Sequence, residues 1–225
     1  MFVLEAVSRV YGAGAARSVA LDSVSLRVDR GEFVAIAGPS GSGKTTLLNL
    51  VAGLDAPTSG RIEFEGRDLS RLAEHERADF RMGRIGFVFQ QFSLIPVLTA
   101  AENVELPLLF NARVPQRERR GAVDSALARV GLAAKSGRRP AELSGGEQQR
   151  VAVARAVAGS PEIVLADEPT ANLDHETGAA VVALLSELNR ERGTTFLYST
   201  HDPELVGLAG RVITLRDGRI ARASS

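Results

Sequence analysis

The chain has 225 residues, 44% apolar and 24% charged, enough for one large domain with a real core or for two small ones. Lys+Arg and Asp+Glu both number 27, so the formal net charge is zero, which argues against broad attraction to nucleic acid or anionic lipid. Cysteine is absent, which excludes disulfides, thiolate metal sites and cysteine nucleophiles, and no apolar run approaches the ~18 residues of a membrane span.

The N-terminus, Met1–Glu5, lacks the basic, apolar, then small-residue order of a signal peptide. A cytoplasmic protein is expected, peripheral on the cytoplasmic face if it serves a membrane. Only Lys44 and Lys135 are lysines; the other basic residues are arginine, which reads as a compositional habit of the source.

In chain order, Val3–Val10 and Ser23–Val28 alternate apolar and polar residues, as half-exposed antiparallel strands do. Phe33–Ala37 is apolar throughout and reads as a strand covered on both faces, with a helix over Lys44–Ala52 behind it. Arg61–Phe64 returns to the alternating style, and Gly86–Phe89 is another short apolar strand. From about Gln91 to Ala158 the pattern is mainly helical, with candidates at Arg119–Val130 and Glu147–Ala158. Strands follow at Ile163–Ala166, Thr195–Ser199 and Val212–Leu215, a helix at Gly178–Arg192, and a hairpin turn at Asp217-Gly218. Strands separated by helices predict an α/β fold: a mostly parallel sheet with an N-terminal antiparallel β subdomain and a helical insertion. One domain over 1–225 is expected, its core from 1–90 and 159–225 and its helical subdomain from 91–158.

Gly38-Pro-Ser-Gly-Ser-Gly-Lys-Thr-Thr46 lies directly between the strand ending at Ala37 and the helix beginning at Lys44. That setting makes it a phosphate-binding loop, in which Gly38, Ser40, Gly41, Ser42 and Gly43 let successive N–H groups turn toward an anion at a helix N-terminus. Lys44 would reach the β- and γ-phosphates, the Thr45 hydroxyl would ligate Mg2+, and Thr46 extends the loop. Leu143-Ser-Gly-Gly-Glu-Gln-Gln149 sets Ser144, Gly145, Gly146 and Glu147 at a second helix start; alone, a plain N-cap explains it equally well. Asp167-Glu168 ends a buried strand, a place suited to holding Mg2+ and polarising a water, although paired acids at strand ends are also common on surfaces.

The order of these segments is more specific than any one of them. A phosphate loop, Gln90, Leu-Ser-Gly-Gly-Glu, Asp-Glu and Thr200-His201 together resemble the ATPase subunit of an ABC transporter, from Leu4 to Ile220. The resemblance implies a P-loop NTPase of ABC type that binds ATP and Mg2+ and hydrolyses ATP without a covalent intermediate. It implies that Tyr11 stacks on adenine, and that Gln90 senses Mg2+ and the attacking water. Asp167 would hold the metal, Glu168 act as general base and His201 contact the γ-phosphate. Ser144 to Glu147 would cap the ATP of a second copy packed head to tail, with Asp174 in the loop at the dimer seam. Tyr11 is otherwise an exposed strand-end aromatic, and His75 and His175 match no motif of the family. Ala171 stands where close relatives often have Gly, and Glu147 where many have Gln.

Ala20–Val24, Gly53–Gly60, Gly86–Gln90, Glu102–Pro107 and Thr200–Glu204 resemble the lipoprotein-releasing and macrolide-exporting group, whose ATPase drives a membrane partner by mechanotransmission. An integral membrane permease is then expected against the Gln90 region and the helical subdomain, with its coupling helix near Phe92–Phe110; part of that stretch reads equally as core. The chain is expected to lack the C-terminal regulatory domain of some sugar importers. The rival readings are an uptake ATPase, a regulatory ATPase of the cell-division type, and a binding module without turnover. An ATPase acting on ribosomes or DNA is disfavoured by the neutral charge and the absence of heptads, so no nucleic-acid partner is expected.

Overall fold

Alternating side chains at the N-terminus produce a half-covered antiparallel sheet. The computed structural model, which describes residues 1–224, pairs β1 (Phe2–Tyr11) with β2 (Ser18–Val28) from Phe2↔Val28 to Tyr11↔Ser18. Phe2, Leu4, Val7, Leu21, Val24 and Leu26 all turn inward, while Glu5, Ser25 and Arg27 stay exposed. Next come β3 (Phe33–Ala37), α1 (Lys44–Val51), β4 (Ser59–Phe64), β5 (Arg67–Asp68), α2 (Glu74–Arg81) and β6 (Ile85–Val88). The antiparallel sheet has the order β2-β1-β4-β5. Ser225, the last residue of the expected domain, lies outside the described residues.

Three helices follow: α3 (Ala100–Leu109), α4 (Gln116–Arg129) and α5 (Gly145–Val157). The chain then returns through β7 (Ile163–Ala166), α6 (His175–Arg192), β8 (Thr195–Thr200), the short α7 (Pro203–Val206) and the hairpin β9 (Arg211–Arg216) and β10 (Arg219–Ser224). The second sheet has the order β10-β9-β3-β8-β7-β6 and is parallel apart from β10.

The apolar strands divide their side chains between two cores. Phe33 and Ala35 of β3, Val164 and Ala166 of β7, and Phe196 and Tyr198 of β8 face one cluster, which also contains buried residues of α3, α4, α5 and α6. Their neighbours Val34, Ile36, Ile163, Leu165 and Leu197 face the other, shared with α1 and the antiparallel sheet. A run that is apolar at every position is therefore a period-2 strand with two covered faces. At about 1.5–3 kcal/mol per fully buried side chain, these strands anchor everything attached to their ends.

Element boundaries shift from the sequence expectation mainly at helix starts. The helix expected from Gly178 begins at His175, because Asp174 accepts the Thr177 N–H at 2.9 Å and caps it. The one expected from Glu147 begins at Gly145, capped by Ser144, and the one expected from Arg119 begins at Gln116, behind Pro115. α2 carries no sequence expectation, since only Phe80 of its residues is buried and it has almost no apolar period. No helix among the described residues is long and apolar enough to cross a membrane.

Gly86 shows how tightly β6 and α5 meet: a Cβ there would lie 2.2 Å from the Ala156 carbonyl oxygen. Gly86→Ala is expected to lower the unfolding free energy by about 1–3 kcal/mol, read as a reduced urea midpoint at unchanged slope.

Candidate functional site

β3 is hydrogen-bonded on both edges, to β8 and to β9, so the loop leaving Ala37 starts from a fixed point in the middle of the sheet. A Cβ on Gly38 would lie 2.3 Å from the Leu215 carbonyl oxygen, and one on Gly43 would lie 2.4 Å from that of Ala20. Gly43 also holds φ at 103° as it caps α1, a conformation that side-chain-bearing residues rarely take. Lys44, only 4% exposed, reaches back so that its Nζ donates to the carbonyl oxygens of Gly38 at 2.9 Å and Pro39 at 3.1 Å. The buried Ser42 hydroxyl has no hydrogen-bond partner among the described residues.

The acidic pair meets this loop from the end of β7, with β8 between that strand and β3. Asp167 follows β7, and its Oδ1 accepts from Thr45 Oγ1 at 3.2 Å and from Ser199 Oγ at 2.7 Å. Glu168 sits with φ at 41°, a strained value for a residue with a side chain, and is held there by its N–H donating to Ser199 Oγ at 2.8 Å. Its Oε1 is 3.3 Å from Lys44 Nζ and its Oε2 is 3.5 Å from His201 Nδ1. Lys44, Glu168 and His201 thus converge, although they come from three separate stretches of chain. Lys44 and Glu168 line a pocket of about 320 Å3 together with Ser40, Gly41, Gly43, Thr45, Thr46 and Gln90.

Other expected site residues lie apart from that pocket. Ser144, Gly145, Gly146 and Glu147 do not line it; they form the start of α5, where Ser144 Oγ accepts the Glu147 N–H at 3.3 Å. A Cβ on Gly146 would come within 2.5 Å of Thr177 Cγ2, so glycine lets the starts of α5 and α6 approach. Asp174 caps α6 and, with Glu168 and His201, lines an adjoining pocket of about 220 Å3. Tyr11 is also off the phosphate pocket, but it pairs across the sheet with Ser18, which lines it. The Tyr11 hydroxyl donates to Asp55 Oδ2 at 2.8 Å, and the Arg9 guanidinium lies 4.6 Å from the ring centroid.

A family profile described as ABC transporter matches residues 21–171. The chain belongs to the ABC transporter family. An uncharacterized ABC transporter ATP-binding protein of Methanocaldococcus jannaschii is 50% identical over 214 residues, covering 95% of each chain. The macrolide export ATP-binding/permease protein MacB of Sodalis glossinidius is 47% identical over 217 residues, which are 96% of this chain and 33% of that protein. The dimeric post-hydrolysis structure of the ATP-binding cassette MJ0796 with ADP and Pi superposes with a TM-score of 0.91 at 44% identity, over 100% of this chain and 98% of that one. As a member of this family the protein is an ATP-binding ATPase.

Sequence reasoning missed several residues that this ABC ATPase places at or beside the site. Ser199 is fully buried and bridges Asp167 to the Glu168 N–H; its only trace in the sequence is a hydroxyl near the end of an apolar strand. Gln149, also fully buried, donates to the Pro169 carbonyl at 2.6 Å and so ties α5 to the segment after Glu168. Asn172 Nδ2 donates to the Gln90 carbonyl at 2.8 Å, joining the loop before α6 to the Gln90 turn. Val19, half exposed on β2, lines the pocket between Tyr11 and the loop. Ser199→Ala would leave the Glu168 N–H unpaired, at a cost of about 1–3 kcal/mol in stability. Steady-state kinetics and urea unfolding of that variant are expected to show kcat for ATP hydrolysis falling more than KM rises.

Proposed function

We propose that the chain powers a membrane permease of the export or mechanotransmission type, working as a head-to-tail pair of copies on the cytoplasmic face of the membrane. The observation that carries the catalytic half is that Glu168, which lines the phosphate-loop pocket with Lys44, lies between Lys44 at 3.3 Å and His201 at 3.5 Å, His201 lining the adjoining pocket. Glu168 acts as the general base, taking the proton of the attacking water, and His201 contacts the γ-phosphate. Lys44 supplies positive charge to the β- and γ-phosphates. In the described structure that charge is directed at Glu168, so phosphate oxygens entering the loop compete for it and free the base.

Thr45 and Asp167, already 3.2 Å apart, form a hydroxyl–carboxylate pair of the kind that takes Mg2+, and Gln90 lines the same pocket as Thr45. The ion would neutralise charge on the phosphates. Gly38, Ser40, Gly41, Ser42, Gly43 and Thr46 shape the cradle, and Tyr11 offers the ring face away from Arg9 to adenine.

Ser144 to Glu147, of which Ser144 is exposed, form a helix start that lies off their own chain's phosphate pocket, which favours their capping ATP bound by a second copy, with Asp174 at the seam. The MacB relative, an ATP-binding/permease protein, supports the export grouping. We take the chain as one cassette, with 1–90 and 159–225 as its core and 91–158 as its helical arm. Within Phe92–Phe110 the two anticipated roles separate: Ala100, Val104 and Leu108 are core, whereas Val97, Leu109 and Phe110 are exposed. Beside them a cleft of about 130 Å3, lined by Gly86, Phe87, Pro107 and Arg155, suits a permease's coupling helix.

Glu168→Gln is expected to keep ATP binding, to lose hydrolysis by at least about 100-fold, and to accumulate a dimer in ATP on size exclusion. Turnover at the normal rate would falsify the base assignment. Lys44→Ala is expected to weaken ATP binding at least about tenfold, checked by titration with a fluorescent ATP analogue.

A further inference from the structure

The start of α5 has a charge conflict. Glu147 folds back on the helix entrance, where its Oε2 accepts the Ser144 N–H at 3.0 Å. That arrangement caps the helix well, but it also places a carboxylate where the triphosphate of a second copy would arrive. The other oxygen, Oε1, is taken by Lys135 Nζ, from the end of the short 3-10 turn Ala133–Lys135. Lys135 is one of only two lysines in the chain, the other being Lys44 of the phosphate loop. The Lys135 contact, followed by the Ser144 N–H, holds the Glu147 carboxyl below its usual range, which favours the carboxylate.

We propose that Lys135 is a positioning residue of the Ser144–Glu147 segment: it fixes the Glu147 carboxylate in its capping position and cancels its charge, so that the entrance of α5 can face the triphosphate of a second copy. The proposal rests on the head-to-tail pairing above and deepens it. Glu147 is 16% exposed and Lys135 47%, so the pair is partly screened and its effect moderate. A pair of this kind is worth a factor of about two to five per site. A twofold-symmetric dimer contains it twice, so the factors multiply to roughly four- to twenty-five-fold in the dimer dissociation constant.

The test is a double-mutant cycle in the full chain carrying Glu168→Gln, with the dimer dissociation constant measured by sedimentation in Mg-ATP. Lys135→Ala is expected to raise that constant about tenfold, and Lys135→Arg, which keeps the charge, to hold it within about twofold. With Glu147→Gln already in place, the cost of Lys135→Ala is expected to shrink below about twofold, because no charge remains to be cancelled. A cost that is absent, or equal with and without Glu147→Gln, overturns the proposal while leaving the dimer standing. A Glu168→Gln chain that stays monomeric in ATP overturns the pairing itself, and this proposal with it.

Discussion

Burial of β3 on both faces, with a parallel neighbour on each edge, is the constraint on which the nucleotide end of the molecule depends. Phe33 and Ala35 are packed into one core, Val34 and Ile36 into the other, and the backbone is tied to β8 and β9. Nothing at Ala37 can shift without disturbing both cores, so the loop that follows begins from a rigid point. The glycines of that loop then pass within contact distance of the Leu215 and Ala20 carbonyls, which belong to other strands. Anion binding by backbone N–H groups needs this, because such groups act strongly only when they are held in place before the ligand arrives.

The same rigidity brings opposite charges together. Lys44 leaves the first turn of α1, Glu168 leaves the end of β7, and His201 leaves the end of β8. Three adjacent strands of one sheet deliver all three side chains to its C-terminal edge, where ligands bind in open α/β sheets. Ser199 locks the arrangement by serving Asp167 and the Glu168 backbone at once, and it holds Glu168 in a conformation that costs of order 1 kcal/mol.

A second set of contacts connects that edge to the helical arm. Gln149 reaches from α5 to Pro169, Asn172 reaches the Gln90 carbonyl, and Thr177 packs where Gly146 has no side chain. Arg155 of α5 also donates to the Phe92 carbonyl at 2.9 Å, just beyond Gln90. The start of α5, the loop before α6 and the Gln90 turn are therefore one contiguous body of packed groups.

The sequence by itself determined the class of fold and most of the chemistry-bearing residues. Phe33–Ala37 and Ile163–Ala166 are apolar at every position, which leaves a doubly covered strand as the simplest reading, and the Gly-rich loop between a strand and a helix admits few alternatives. These are local signals, legible because period and spacing carry them. Only the tertiary structure could show that Ser199 serves both acids, that Lys135 is spent on Glu147, or that Tyr11 is pinned by Asp55 and flanked by Arg9. Apart from Arg9, two residues from Tyr11 on the same strand, each of those depends on residues 12 to 44 positions apart meeting in space. No local pattern encodes such a meeting, because it is decided by how the sheet brings the ends of separate strands and helices together.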